Sequence, residues 1–501
     1  MRTNTLRNLS RRSALAILLL AAATTDASAQ CALSWQGVNA NFDARVATIT
    51  TLANGDVIVA GEFTTASGLA VNHIARWDGS SWSPLGAGVD GVVNAVVELA
   101  NGDLAVGGIF ATAGGVTVNN IARWDGQNWS PLGSGMSYWV NALTIMPNGD
   151  LVAGGAFSMA GGVPANRVAR WDGAAWSPLG PGINNGIVMS LLAKPDGTVL
   201  AGGLFGVAGS VAIAYWDGTS WLPLSTGMSG GAFTSIADMQ LLPNGDVVVV
   251  GGFSSAGGQS ANNIARWDGA SWSALGTGTD APVAAVQRMP NGDLIVGGYF
   301  TTAGGVAAMR LARWDGVAWS PVAAGPNDAI RVITPMANGD LLAGGNFTSV
   351  GALAVGRVAR LTTSCPAAAA AYGVACSGSA GLNELTATTL PWIGADFHAR
   401  TTGLPANALA VGAFAAAQLS LPLPQVHPLG APGCVLLVTD EILLQFPINN
   451  GGVHTSIAIP DSMALVGANF YHQVVVVELH AVGAKSALTS SNALALTIGA
   501  F

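Results

Sequence analysis

The side chains with the most chemistry to offer are few and scattered. Glu62, Asp43 and Asp328 are carboxylates, and two suitably placed carboxylates are enough to hydrolyse or eliminate across a glycosidic bond. Arg331, His73, Tyr299 and Asn346 are polar side chains that could help form a ligand site. No short motif ties them together. The chain has no P-loop, no dinucleotide fingerprint, no HExxH and no cysteine-rich zinc pattern. Of the 6 histidines, His398, His427, His454, His472 and His480 lie near the C-terminus without ligand-like spacing. The reading therefore includes no metal, no cofactor and no catalytic residue.

Composition narrows the partners. Charged residues are 9% of the 501, the formal net charge is −8, and the only lysines are Lys194 and Lys485. No basic patch could neutralise a run of phosphates, so nucleic acid is not an expected partner. Residues 1–29 combine a basic start, an apolar stretch from Ala14 to Ala23 and the small-residue exit Ala27-Ser28-Ala29, a signal peptide pattern. The expected location is thus exported: extracellular, cell surface or periplasmic. "SRRSAL" is a partial twin-arginine pattern that leaves the export route open. Past the signal no apolar run is long enough to span a membrane. Export permits disulfides among Cys31, Cys365, Cys376 and Cys434.

What must position the candidate residues is a repeat. An NGD-type turn recurs at Asn54, Asn101, Asn148, Asp196, Asn244, Asn291 and Asn338, in steps of 47 or 48 residues. The Trp of "RWDG" recurs at Trp77, Trp124, Trp171, Trp216, Trp267 and Trp314, with Leu361 in the seventh copy, and a second Trp follows five residues later in six copies. Each copy reads as four short strands: an apolar strand into the NGD turn, a second strand such as "DLIVGGYF", a loop built on "TTAGG", then "IARW" and "WSPLG" joined by a DG turn. Seven such units predict an all-β, seven-bladed propeller over residues 30–365. The seventh copy stops at "RVARLTTSC" without its fourth strand, and "CALSWQGV" at the start of the mature chain supplies one in register. This predicts that the N-terminal strand completes blade seven, with a Cys31–Cys365 disulfide in place of the missing DG turn.

The Gly-Gly pair ending strand two, followed by spaced aromatics, resembles the kelch repeat and the related bacterial delta-60-type repeats. The resemblance implies a propeller and no particular activity. A copper radical oxidase on a kelch ring would need His and Tyr ligands and a crosslinking Cys, whereas the blades hold one His, His73, and no Cys. Residues 366–375, "PAAAAAYGVA", read as an Ala-rich linker, and residues 376–501 as a small β-sandwich with Cys376 paired to Cys434. That tail resembles the Cys-bearing β-domains appended to secreted bacterial repeat proteins.

Comparing the copies separates scaffold from candidate site. The NGD aspartate should lie beside the Arg of "ARWD", giving Asp56 with Arg76, Asp103 with Arg123, Asp150 with Arg170, Asp246 with Arg266, Asp293 with Arg313, and Asp340 with Arg360. The fourth copy lacks both partners at once, having Thr198 and Tyr215, as a paired interaction requires. Function should sit where copies differ, on the face of the strand-two loops. The residue before the strand-two Phe is polar only as Glu62, Tyr299 and Asn346, in blades one, six and seven, which are ring neighbours. Asp43, Arg45, His73, Arg310, Asp328, Arg331 and Arg357 fall in the same sector. The expectation is a polar ligand site there on an exported, non-enzymatic binding or structural propeller, with a glycan or a surface protein as partner. Two alternatives stay open: a glycosidase or lyase using the loop-face carboxylates, and an envelope assembly component attached through its tail.

Overall fold

The computed structural model describes residues 33–230, 234–336, 338–439, 442–462, 465–479 and 485–500. The expected signal segment 1–29, Cys31 and His480 lie outside them. Among the described residues no helix is long and apolar enough to cross a membrane. The chain divides into two compact units.

The unit formed by Ser34–Met289 and Asp293–Thr362 holds seven four-stranded sheets, one per sequence repeat. In the first, Val46–Thr51, Val57–Gly61, Ile74–Trp77 and Trp82–Pro84 lie side by side in chain order. The first strand of each sheet lies against that of the next, and Ile330–Pro335 of the seventh lies against Val46–Thr51 of the first, so the row of first strands closes on itself. The chain is a β-propeller. Its apolar cores sit between adjacent sheets: Ile58, Ala60 and Ile74 of the first pack against Val93, Val96 and Phe110 of the second. Second strands such as Val57–Gly61 are buried throughout, which is why they read as unbroken apolar runs.

The seventh sheet is completed from the other end of the sequence. Its order is Leu33–Gly37, Val358–Thr363, Leu341–Gly345 and Ile330–Pro335. Ser34 and Thr362 hydroxyls bond across the join at 3.2 Å, and Trp35 Nε1 donates to Ala324 O at 2.8 Å. Cys365 is disulfide-bonded, while its expected partner Cys31 lies outside the described residues.

The Gly-Gly pair has a steric cause. Every first strand carries a β-bulge at the same place, at residues 47, 94, 141, 189, 237, 284 and 331. The bulge brings the carbonyl two residues before it, at the entrance of the first strand, onto the second glycine of strand two. A Cβ there would lie 2.0 Å from Trp139 O at Gly155 and 2.2 Å from Arg45 O at Gly61. The preceding glycine makes room for the next sheet: a Cβ on Gly107 would meet Val140, and one on Gly344 would meet Val46, across the ring closure.

The loop after strand two is itself ordered. Thr65–Ala66 and Leu69–Ala70 form a minimal hairpin through Ser67 and Gly68, both at positive φ, and four other repeats build the same ladder through Gly-Gly.

In the second unit, Thr363–Phe501, a five-stranded sheet runs in the order Ala368–Tyr372, Lys485–Thr497, Asn469–Leu479, Ala408–Ala415, Ile442–Phe446. A three-stranded sheet of Glu384–Ala387, Asp396–Thr402 and Val453–Ala458 shares its core, with Phe397 and Ile457 packed among Phe414, Phe446, Phe470 and Leu496. Residues 366–375 are therefore not a linker: Ala368–Tyr372 pairs with Lys485–Thr497 from Ala368↔Thr497 to Tyr372↔Ala493. A run of alanines ending in a single Tyr shows no alternation to read, yet its backbone pairs once a neighbouring strand supplies the register. Cys376 and Cys434 form a disulfide, both side chains buried.

His472 is fully buried in this unit. Its Nε2 meets the Thr455 hydroxyl at 2.8 Å, its Nδ1 meets Ala413 O at 3.1 Å, and its ring lies on Phe414. The neutral imidazole satisfies both contacts by donating to Ala413 O and accepting from Thr455. Burial depresses its pKa to about 4.

Two outcomes follow. In the fourth sheet, Gly203→Ala would place a Cβ 2.2 Å from Ile187 O, whereas Gly206→Ala meets nothing nearer than 3.6 Å. Chemical denaturation should show Gly203→Ala costing about 2–4 kcal/mol and Gly206→Ala near neutral. Because the unfolded chain takes up a proton on His472 near pH 6.5 and the folded chain only near 4, that contribution is full above about 6.5 and drains away as pH falls toward 4. Calorimetry should show the second unit losing up to about 3 kcal/mol across that window, and His472→Met should abolish the slope.

Candidate functional site

The most repeated line of the sequence is structural at every position. In "RWDG", Asp78 accepts the backbone N–H groups of Ser80 and Ser81, both at 2.8 Å, and Asp125, Asp172, Asp217, Asp268 and Asp315 accept the same pair in their own turns. Those bonds hold all six carboxyls below the usual carboxylate range. The arginine pairs with the NGD aspartate in the six repeats that have both, from Asp56–Arg76 to Asp340–Arg360. The second Trp staples neighbouring sheets: Trp129 Nε1 donates to Leu85 O, Trp176 to Leu132 O and Trp319 to Leu275 O, each at 2.8 Å.

The bulges create the candidate site. Ala47, Asn94, Asn141, Met189, Ala237, Ala284 and Arg331, the bulged residues of the seven first strands, all line the central channel. Toward the loop face they join Arg45, Trp139 and Ile187 around a cavity of about 280 Å³. A second stretch of about 240 Å³ is lined by all seven strands and includes Asp238. Asn94 Nδ2 donates to Asn141 Oδ1 and to Val140 O, both at 3.1 Å, tying adjacent sheets around the wall. A larger cleft, of about 630 Å³, lies along Gly37, Asn39, Asn41, Ser67 and Gly356, with no ionisable side chain among its described lining residues.

The residues singled out in the sequence divide into two groups. Glu62, Tyr299 and Arg331 belong to contacts around the channel mouth. Glu62 Oε1 binds Arg45 Nη2 at 2.7 Å, with both side chains partly exposed. The Arg331 guanidinium sits over the Tyr299 ring, 4.9 Å from its centroid. It has no salt bridge among the described residues, and its Nε is buried without a hydrogen-bond partner. Asn346 is in the corresponding column, with a buried and unpartnered Oδ1. Asp328 is exposed and accepts from Ala329 N at 2.6 Å.

Asp43 and His73 instead hold loops. Asp43 accepts from Thr64 N, Thr64 Oγ1 and Thr65 N. Although partial burial pushes its pKa up, these bonds outweigh it and bring the carboxyl down to about 2. Asp90, Ser137, Asp280 and Asn327 brace the equivalent loops in the same way. His73 has φ 73° and lies 3.3 Å from Gly61 O through Nδ1, and Arg310 and Arg357 share its left-handed backbone, each donating to a loop carbonyl. The sequence points to the Tyr138-Trp139 connection as a possible contributor, but Asn94, Asn141, Met189 and Asp238 were missed as channel-lining residues, although the first-strand columns containing them were available.

Asp238 is the carboxylate of the inner channel. Its oxygens accept from Met239 N at 2.8 Å and Val286 N at 3.0 Å, and burial raises its pKa to about 6 against those two bonds. Among the described residues, no three His, Cys, Asp or Glu side chains gather where they could hold a metal ion.

Segments 147–171, 242–267 and 290–314 match the family described as "Domain of unknown function (DUF5122) beta-propeller". No curated protein matches the chain in sequence. Among solved structures it is similar to the WD40 β-propeller domain of Doa1, with TM-score 0.45, 14% identity, and 66% of this chain and 97% of that one covered. It is also similar to the extracellular domain of a one-component system from B. thetaiotaomicron, with TM-score 0.42, 11% identity, 94% of this chain covered and only 58% of that chain spanned. A third is PorZ, a surface component of the type-IX secretion system of Porphyromonas gingivalis, with TM-score 0.36, 13% identity, and coverage of 87% and 64%.

Asp238 generates a prediction of opposite sign to that of His472. Its folded pKa lies above the unfolded 3.8, so the folded chain keeps a proton that the unfolded chain releases, and stability falls as pH rises from about 4 through 6. Asp238→Asn should gain on wild type by about 1–2 kcal/mol between pH 4 and pH 7, a value discounted for the solvent in the channel. Paired melts at the two pH values would measure it.

Proposed function

We propose that this is an exported, non-enzymatic binding propeller of the kelch-like, delta-60-type repeat class. Its seven sheets are the blades of a ring, residues 1–29 are its export signal, Cys31–Cys365 ties the closing strand, and its C-terminal unit is a small β-sandwich. Its ligand, a glycan or a surface protein, engages the loop face where the first, sixth and seventh sheets border the channel.

The observation that supports this reading best is Arg331. Its guanidinium has no carboxylate partner among the described residues and lies on the wall of a cavity. The loop-face carboxylates argue for binding over hydrolysis. Glu62 is committed to Arg45 and Asp43 to three loop donors, so neither is placed as a proton donor or nucleophile.

The experiment is a binding screen of the exported chain against polysaccharides and cell envelopes, beside a Glu62→Ala/Tyr299→Ala/Asn346→Ala variant. Binding should fall at least ten-fold in the variant while its melting profile stays within a few degrees of wild type. Unchanged binding would move the site to the Tyr138–Trp139 loop or to the C-terminal unit.

A further inference from the structure

The mouth of the channel is asymmetric in a way that selects among ligands. Arg331 comes from the seventh sheet and Arg45 from the first, while Trp139 comes from the third and Ile187 and Met189 from the fourth. One sector of the wall is thus cationic and another apolar, with Asn94 and Asn141 in the second and third sheets. The two arginines are not equivalent. Glu62 neutralises Arg45, whereas Arg331 keeps its charge, in a protein whose formal net charge is −8. Tyr299 beneath the guanidinium and the burial of Nε restrict how that planar fork can turn. Trp139 is likewise braced, its ring stacked on Tyr138 at 4.6 Å.

We propose, resting on the binding reading above, that the ligand is an acidic sugar: a uronic acid residue whose carboxylate pairs with Arg331 and whose ring packs on Trp139. A guanidinium binds a carboxylate through two parallel N–H···O bonds, a geometry that a hydroxyl cannot reproduce. An aromatic face offers an apolar platform to the C–H face of a six-membered ring. Asn94 and Asn141 line the same cavity and, held to each other and to Val140 O, present a fixed polar wall between the cationic and apolar sectors. The cavity of about 280 Å³ at the channel mouth leaves room for a pyranose ring. Asp238, further in, sets an anionic limit to the depth a carboxylate can reach. A neutral sugar would leave the Arg331 guanidinium desolvated and unpaired, and that cost makes the site discriminate.

The test is titration calorimetry of the exported chain with D-glucuronate, D-glucose and acetate. Glucuronate should bind at least ten-fold more tightly than either glucose or acetate. Arg331→Gln should erase the preference for the acid, Arg331→Lys should retain part of it, and Trp139→Ala should weaken glucuronate without changing its ratio to glucose. A melt of each variant within a few degrees of wild type shows that folding is intact. The proposal is overturned by equal affinity for glucuronate and glucose, by acetate matching glucuronate, by an acid preference that survives in Arg331→Gln, or by no binding of glucuronate at all. The broader binding reading fails instead if no polysaccharide or envelope is bound at all, and its placement fails if such binding survives loss of Glu62, Tyr299 and Asn346, so the two can fail separately.

Discussion

The contact on which the propeller depends is the approach of the carbonyl at the entrance of the first strand to the second glycine of strand two. It recurs in all seven sheets, with Cβ positions that would lie between 2.0 and 2.5 Å from that oxygen. No side chain fits opposite the bulge, so the position calls for glycine. The bulge also flips the direction of one residue per sheet, and those seven residues become the channel wall. Architecture and candidate site are therefore set by the same steric fact. The Ala or Val that replaces the first glycine at Ala60 and Val250 shows which of the two positions is negotiable.

Around this contact the remaining conserved columns of the repeat divide the labour. The Trp staples set the spacing of neighbouring sheets, the Asx turns fix the outer hairpins, and the Asp–Arg pairs cover the turn face. The fourth sheet departs from the pattern in several places together. It has no Asp–Arg pair, Ser225 sits at φ 60° where four other repeats use Gly, and in the next sheet Trp272 Nε1 is buried without a partner. A change in one copy is thus felt by its neighbour, because each Trp reaches back one sheet.

Periodicity made most of this readable in advance. The turns, the strand order within a copy and the N-terminal completion of the last sheet all follow from residues spaced 47 or 48 apart. The polar sector of Glu62, Tyr299 and Asn346 was visible by the same comparison. Less visible was which polar residues serve the fold: Asp43 belongs to a bracing column with Asp90 and Asp280, and His73 to a left-handed column with Asn120 and Arg310. Those columns vary in residue type while keeping one role, so identity alone conceals them. The partnership of Arg331 with Tyr299 depends on a bulge that shifts the strand's parity, which alternation cannot show. The strand Ala368–Tyr372 carries no pattern, and its partner lies more than a hundred residues away.

The completion of the seventh sheet by Leu33–Gly37 changes the kind of object this is. An open array of repeats can fray, shedding terminal units one at a time, since each end unit has a single neighbour. Joining the two ends removes the ends. Loss of any one sheet then exposes two apolar faces, so unfolding becomes all-or-none around the circle. The same join postpones completion during synthesis: the earliest strand of the ring must wait, unpaired and sticky at its edge, until its partner some 320 residues later has left the ribosome and any membrane it crosses. Resistance to fraying is thus gained together with a long period of vulnerability before the ring closes.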